Sequence, residues 1–262
     1  MTPRAFLLIR HRSAARFAAF HAGLSAAGFA VYEDWHGERP QPGDVLVIWN
    51  RVGGWAEAAD TFEAAGATVL VAENGHVPIR GAAAVSLAIG GHNGAGSFPV
   101  GGPERWAGFG VTLAPWSSGG RHILVCGQRG IGSGAHAVPP GWLDDACARL
   151  RALTDRAVRR RPHPRSAEGA AMPPLAHDLR DCWCVVTWSS NAATEALLAG
   201  LPAIVCGPAH ILAAVCNRHL EDAVEPVRRL REPAFERLAW SQWTLDEIAS
   251  GEPFARLAGG CP

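Results

Sequence analysis

An α/β fold of two small domains is predicted by three observations. Short apolar runs alternate with helix-length segments along the 262 residues, the pattern of parallel sheets covered by helices. The alternation stops between Gly90 and Gly120, a stretch rich in Gly, Pro and Trp without a clear period, and then resumes. A hydrophobic fraction of 48% supplies enough apolar side chains for two cores. The expected architecture is two facing Rossmann-like domains, residues 1–115 and 120–262, with the last helix near their interface. Ligands of such folds sit beyond the carboxyl ends of the strands.

In the first domain, strands are expected at 6–9, 44–49 and 68–72, with a weaker one at 86–89. A helix at 13–27 follows the first strand, and another at 55–65 is closed by Gly66. In the second domain, strands at 122–126, 157–160, 184–188 and 203–205 alternate with helices at 141–153, 175–181 and 191–199. A final helical stretch, 234–249, carries Leu238, Trp240, Trp243, Leu245 and Ile248.

Composition removes several chemistries. Net charge is zero, so no global field draws the chain to nucleic acid or membrane. All 24 basic residues are arginine; without lysine there is no Schiff-base amine and no Walker A phosphate loop. Seven scattered cysteines, an odd number, suit reduced thiols and a cytoplasmic location. The Arg-rich start superficially resembles a transit peptide, but reads better as the first strand and helix of an unprocessed chain. No apolar run approaches the ~20 residues of a membrane span, so a soluble protein without membrane insertion is expected. No G-x-S-x-G elbow occurs, which counts against a hydrolase. Cys206, His210, Cys216 and His219 match no usual zinc spacing, and no D-x-D sequence is present to hold a divalent metal with a donor.

Three segments after strands of the second domain carry candidate chemistry. The first runs from Gly127-Gln128-Arg129-Gly130 to Ser133-Gly134, where repeated glycines let amides approach an anion; a plain flexible turn explains them equally well. In the second, Arg159 to Arg165, two prolines fix the direction of His163 and arginines such as Arg161 offer bidentate grip on phosphate. A solvated basic turn would not need a histidine locked between prolines. In the third, Thr187-Trp188-Ser189-Ser190 leads from a buried strand directly into a helix that carries Glu195, with Ser190 the expected N-cap and its hydroxyl and amides facing an anion site.

The order of strand–His163-Pro164, then strand–Ser189-Ser190–helix with Glu195 downstream, resembles the donor domain of GT-B glycosyltransferases, in particular the bacterial sialyltransferases and capsule-type Kdo transferases. In those families the His-Pro and Ser-Ser motifs hold the nucleotide phosphate of a CMP-activated sugar. Glu73-Asn74-Gly75 resembles their acidic-acidic-Gly motif, the source of the general base, with Asn74 as the departure. Segments 73–93 and 238–244 also resemble phage-encoded transferase-like proteins.

The resemblance implies a GT-B-like, metal-independent glycosyltransferase with a nucleotide-sugar as co-substrate and no other cofactor. Glu73 and His163 would be catalytic. Gln128, Arg129, Gly130, Ser133, Arg161, Pro164, Thr187, Ser189, Ser190 and Glu195 would bind the donor. Glu73, reaching across the crevice, would deprotonate the acceptor, either a saccharide or a hydroxymethylated DNA base; the arginines from Arg149 to Arg165 suit the phosphates of the latter. The alternatives are a non-catalytic nucleotide- or nucleic-acid-binding module, kept open by Asn74, and a nucleotide-sugar epimerase of the same architecture.

Overall fold

The computed structural model describes residues 2–9, 13–129, 136–170 and 172–258. The chain forms two compact units: Met1–Val111 with Glu236–Pro262 make unit 1, and Thr112–Phe235 make unit 2.

Unit 1 opens with β1 (Arg4–Leu8), buried from Ala5 onward, and α1 (Ala14–Ala26), which begins where the Ser13 hydroxyl accepts the Arg16 N–H. There follow β2 (Ala30–Tyr32), β3 (Val45–Trp49), α2 (Gly54–Ala64), β4 (Thr68–Asn74), β5 (Val85–Ile89) and a short helix α3 (Glu104–Ala107). β2 is not among the expected strands: its three residues are half-buried or exposed and too few to show a period. Among the described residues the sheet order is β10-β5-β4-β3-β1-β2, with β10 supplied from near the C-terminus. The pairs among β1 to β4 are parallel, whereas β5 runs antiparallel to both β4 and β10. The expected parallel sheet is therefore mixed. A tight return at residues 75–84, where the Gly75 N–H meets the Ala84 carbonyl at 2.7 Å, leaves no room for a crossover helix.

Unit 2 is the more regular. It comprises β6 (His122–Cys126), α4 (Trp142–Leu153), β7 (Ala157–Arg161), α5 (Leu175–Asp178), β8 (Cys182–Thr187), α6 (Ala192–Leu198) and β9 (Ala203–Val205). The sheet, in the order β7-β6-β8-β9, is parallel throughout. Its middle strands are buried on both faces, so they read in the sequence as short continuous apolar runs.

The end of the chain departs from expectation in two ways. The stretch expected as one helix is broken into α7 (Glu232–Ala239), β10 (Gln242–Trp243) and α8 (Leu245–Ala249), followed by α9 (Glu252–Ala258). Thr244 starts a new helix through a capping box with Glu247, which is incompatible with a helix running through it. The residues after Phe235, expected in the second domain, also pack in unit 1. Arg105 holds them there. Its guanidinium lies 3.9 Å from the Trp243 ring centroid, pairs with Glu247 at 2.8 Å, and donates to the carbonyls of Ala239 and Gln242. Gly23 of α1 admits α8, because a Cβ there would lie 1.8 Å from the Ile248 carbonyl oxygen.

Candidate functional site

In unit 2 the register sets the site. Arg161 pairs with Cys126, Cys126 with Thr187, and Thr187 with Val205, so these four form one row at the carboxyl edge of the sheet. Two residues beyond that row lie His163, Gln128 and Ser189, one from each of three neighbouring strands. A pocket of about 510 Å³ opens there; His163, Pro164, Arg161, Ser190 and Glu195 line it, with Cys126, Gly127, Pro162, Met172, Pro173, Pro174, Leu175, Asn191 and Ala192.

His163 is held in one state. The Arg165 N–H donates to its Nδ1 at 3.0 Å, so the neutral ring carries its proton on Nε2. Burial, reinforced by the charges of Arg129 and Arg165, lowers its pKa below the ordinary histidine value. The ring at neutral pH is thus an uncharged Nε2–H donor. Behind it the Ser166 hydroxyl donates to the His163 carbonyl at 2.7 Å. A Cβ on Gly169 would lie 2.0 Å from that carbonyl oxygen, so the loop closes only with glycine.

The serine pair is organised from below and from the side. Gln128 clamps Ser189 with two bonds, its Oε1 accepting the Ser189 N–H at 2.8 Å and its Nε2 donating to the Ser189 hydroxyl at 3.1 Å. The Thr187 hydroxyl accepts the Ser190 N–H at 3.2 Å. Thr187 is completely buried. It therefore shapes the turn and is not placed to touch a donor, contrary to the expected role. Asn191, not Ser190, occupies the helix cap position and makes no side-chain cap bond; the Ser190 hydroxyl instead accepts the Ala192 N–H at 3.3 Å.

Arg161 also differs from expectation. Its guanidinium is ion-paired with Asp178 and donates to the Pro173 carbonyl at 2.6 Å, both partners lying in or beside α5. The arginine is 5% exposed, and its donors fasten the proline wall of the pocket instead of waiting for a phosphate. Two other arginines of this stretch are similarly engaged: Arg149 pairs with Glu221, and Arg160 with Asp144 and Glu168. Arg151, Arg159 and Arg165 are exposed, so the segment combines ion pairs with part of a basic face. Glu195 is exposed at the pocket, yet desolvation by the surrounding protein raises its carboxyl pKa against the opposing charge of Arg161. Gly130 and Ser133 lie outside the described residues.

Glu73 belongs to unit 1, at the end of β4. Its Oε1 accepts the Asn74 N–H at 3.0 Å, and the Asn74 Oδ1 accepts from Arg16, whose guanidinium stacks 4.6 Å from the Trp49 ring centroid. Gly75 is required by space, since a Cβ would come within 2.8 Å of Ala84. The next turn is gripped by Gln242, which accepts from the His76 and Val77 N–H groups and donates to the Val77 carbonyl. Sequence reasoning missed Gln242, the Pro173-Pro174 wall and Asp178. Only the paired prolines left a signal. Among the described residues no three His, Cys, Asp or Glu side chains are placed to hold a metal ion, and no helix is long and apolar enough to cross a membrane.

No family profile matches the sequence, and no curated protein sequence matches it significantly. The fold is similar to two solved structures of Thermosulfurimonas dismutans KpsC. One is described as its β-Kdo 2,7 transferase, with a TM-score of 0.57, 12% identity, and coverage of 97% of this chain and 99% of that one. The other, its β-Kdo 2,4 transferase, has a TM-score of 0.59 and 12% identity, covering 92% and 90%. The chain therefore has a glycosyltransferase-like α/β fold, and at this identity the likeness concerns the fold alone.

Proposed function

We propose that this chain is a glycosyltransferase that moves a sugar from a nucleotide-activated donor to a hydroxyl of a saccharide acceptor. The observation that carries the reading is the convergence of His163 and Ser190 on one pocket at the carboxyl edge of a parallel sheet, with Ser189 clamped beside them. A neutral imidazole Nε2–H and hydroxyl groups are fixed donors suited to charge growing on a leaving phosphate. Glu195, a carboxyl that would repel phosphate, is assigned to a hydroxyl of the ribose or of the sugar. Glu73 is assigned the role of base toward the acceptor. The reaction needs no divalent metal in this scheme, so EDTA leaves turnover unchanged. A saccharide is preferred to DNA because three of the arginines that suggested nucleic acid, Arg149, Arg160 and Arg161, are paired with carboxylates.

Calorimetric titration with CMP, UMP and their diphosphates tests the donor site. A nucleotide is expected to bind the wild-type chain, and His163→Ala is expected to weaken it about tenfold or more, the scale of a hydrogen bond to a charged group. Nucleotide affinity unaltered by His163→Ala removes the donor assignment. Incubation of nucleotide sugars without acceptor separates slow donor hydrolysis from isomerisation, which would mark an epimerase.

A further inference from the structure

The wall of the unit 2 pocket has a second support, outside the pocket itself. Ile123 and Val125 of β6 pack with Ala146, Cys147 and Leu150 of α4, so the alternate residues His122 and Cys126 project on the opposite face. Arg161, in register with Cys126, shares that face. Over it runs the segment from Pro173 to Asp178, whose first three residues line the pocket. The segment has little internal means of staying there: its prolines have no N–H to donate, and α5 is a single turn of four residues. Arg161 fastens one part of it, through the Pro173 carbonyl and the Asp178 carboxylate. His122 adds another hold, its Nε2 lying 3.0 Å from the Asp178 carbonyl oxygen. We propose that His122 is a positioning residue of this pocket, which with Arg161 suspends the wall 173–178, and that protonation of its ring releases the support. That the wall faces a nucleotide rests on the transferase reading; the suspension does not.

The tautomer follows from the partner. A carbonyl oxygen only accepts, so Nε2 carries the hydrogen and Nδ1 of the neutral ring is bare. His122 is 1% exposed, and its Nδ1 has no hydrogen-bond partner among the described residues. A proton added there would make a buried N–H without an acceptor and a further cation on the Arg161 face. The surrounding groups oppose that proton or are already engaged. Burial is the largest effect lowering the His122 pKa, and the charge of Arg159 on β7 adds to it. Asp178 and Asp181 would favour a charged ring, but Asp178 is paired with Arg161 and His177, and Asp181 with Arg121. From β8 the register partner is Cys182, whose thiol is kept neutral by burial, its pKa pushed up to about 12. A ring freed from the Asp178 carbonyl can turn to water and take the proton. The support is therefore whole above the ordinary histidine value and is lost as pH falls below it.

Hydrogen exchange on the full chain, corrected for the intrinsic rate at each pH, tests this without any ligand. Between about pH 7.5 and about pH 5, protection of the amides in 175–182 is expected to fall about tenfold, the scale of a one-proton linkage, while α4 keeps its protection. His122→Gln offers the same carbonyl an N–H that does not titrate, and is expected to keep the segment protected at both pH values. His163→Gln and His177→Gln, made in both chains, silence the histidines of the pocket and of α5. The proposal is overturned if the segment with His122 intact keeps its protection in acid, or if His122→Gln loses it by the same factor. Should His122→Gln lose protection in α4 as well, the chain with His122 intact decides alone. Its His122 ring titration, followed by NMR, is expected to share a midpoint with the loss of protection, and a separation of more than about one pH unit overturns the proposal. CMP titrations of wild type and His122→Gln report the consequence for the pocket, with affinity expected to fall more steeply in acid for the wild type. CMP bound with equal steepness by both overturns the positioning role; no CMP binding to either counts against the transferase reading alone.

Discussion

The carboxyl edges of the two sheets invite comparison because each contains four parallel strands, β1 to β4 in unit 1 and β6 to β9 in unit 2, yet they carry different residues. In unit 2, the residues beyond Cys126, Arg161 and Thr187 are a glutamine that clamps Ser189, a histidine, and serines whose hydroxyls can donate hydrogen bonds. In unit 1, Glu73 lies at the end of β4, and two tryptophans and Asp34 line a pocket at the ends of the other parallel strands. The backbone supplies the same platform twice. What differs is the residues at and just after the end of each strand.

The edges also differ in how they are supported. The pocket wall in unit 2 rests on the Arg161–Asp178 pair, in which both side chains are nearly inaccessible. The Glu73 turn in unit 1 rests on the neutral amide of Gln242. Removing one member of a buried ion pair strands the other's charge, which costs about 3–5 kcal/mol. Arg161→Met is expected to destabilise the protein by that amount in denaturant unfolding, and Arg161→Met with Asp178→Leu to recover much of it. A loss below about 1 kcal/mol would mean that the pair is a solvated surface bridge.

Next in size is the chemical asymmetry. Glu73→Gln is expected to lower turnover about a hundredfold or more, the usual scale for a general base, while nucleotide affinity stays at the wild-type value. Asn74→Ala is expected to be milder, since Asn74 only donates to Glu73 and accepts from Arg16. Wild-type turnover by Glu73→Gln would place the base elsewhere and break the division of labour between the two edges. Gln128→Ala is a finer test, because Gln128 is argued to position Ser189 and not to bind the donor itself. Nucleotide affinity is expected to fall about fivefold, roughly the value of one net hydrogen bond, and Gln128→Glu, which keeps the acceptor for the Ser189 N–H, to restore part of it.

The smallest expected effect concerns pH. His163 and His122 both have pKa values lowered by burial relative to the ordinary 6.5. Just below that value the unfolded chain binds protons that the folded chain does not, so their contribution is whole above pH 6.5 and is lost as pH falls toward the folded values. Thermal unfolding midpoints should therefore decline on acidification through this window, and His163→Gln should flatten the decline. An unchanged slope in that variant would show His163 to be solvated, contrary to its place in the pocket.

Much of this was legible in the amino-acid order. Most of the central strands announce themselves as apolar runs, β7 with its three arginines being the exception in unit 2, and the parallel row follows from their order, so His163, Ser189 and Ser190 were identifiable as neighbours in space. The three-residue β2 was not, because half-exposed strands of that length carry no period. Nor was the break at β10: Leu238, Trp240, Trp243, Leu245 and Ile248 satisfy a helical pattern, and only Thr244 with Glu247 signalled a restart.

The sequence by itself determined the α/β class, the place of the loop-rich middle, and the chemical types after each strand, since these depend on local periodicity and on which residues stand next to one another. Tertiary structure alone decided that Arg161 is committed to Asp178 and that Thr187 is sealed beneath Ser190. It also decided that Gln242 reaches a turn 165 residues earlier. The physical reason is that a polar side chain takes its role from whichever partner satisfies it when water is removed, and for these residues that partner lies on another element of the fold.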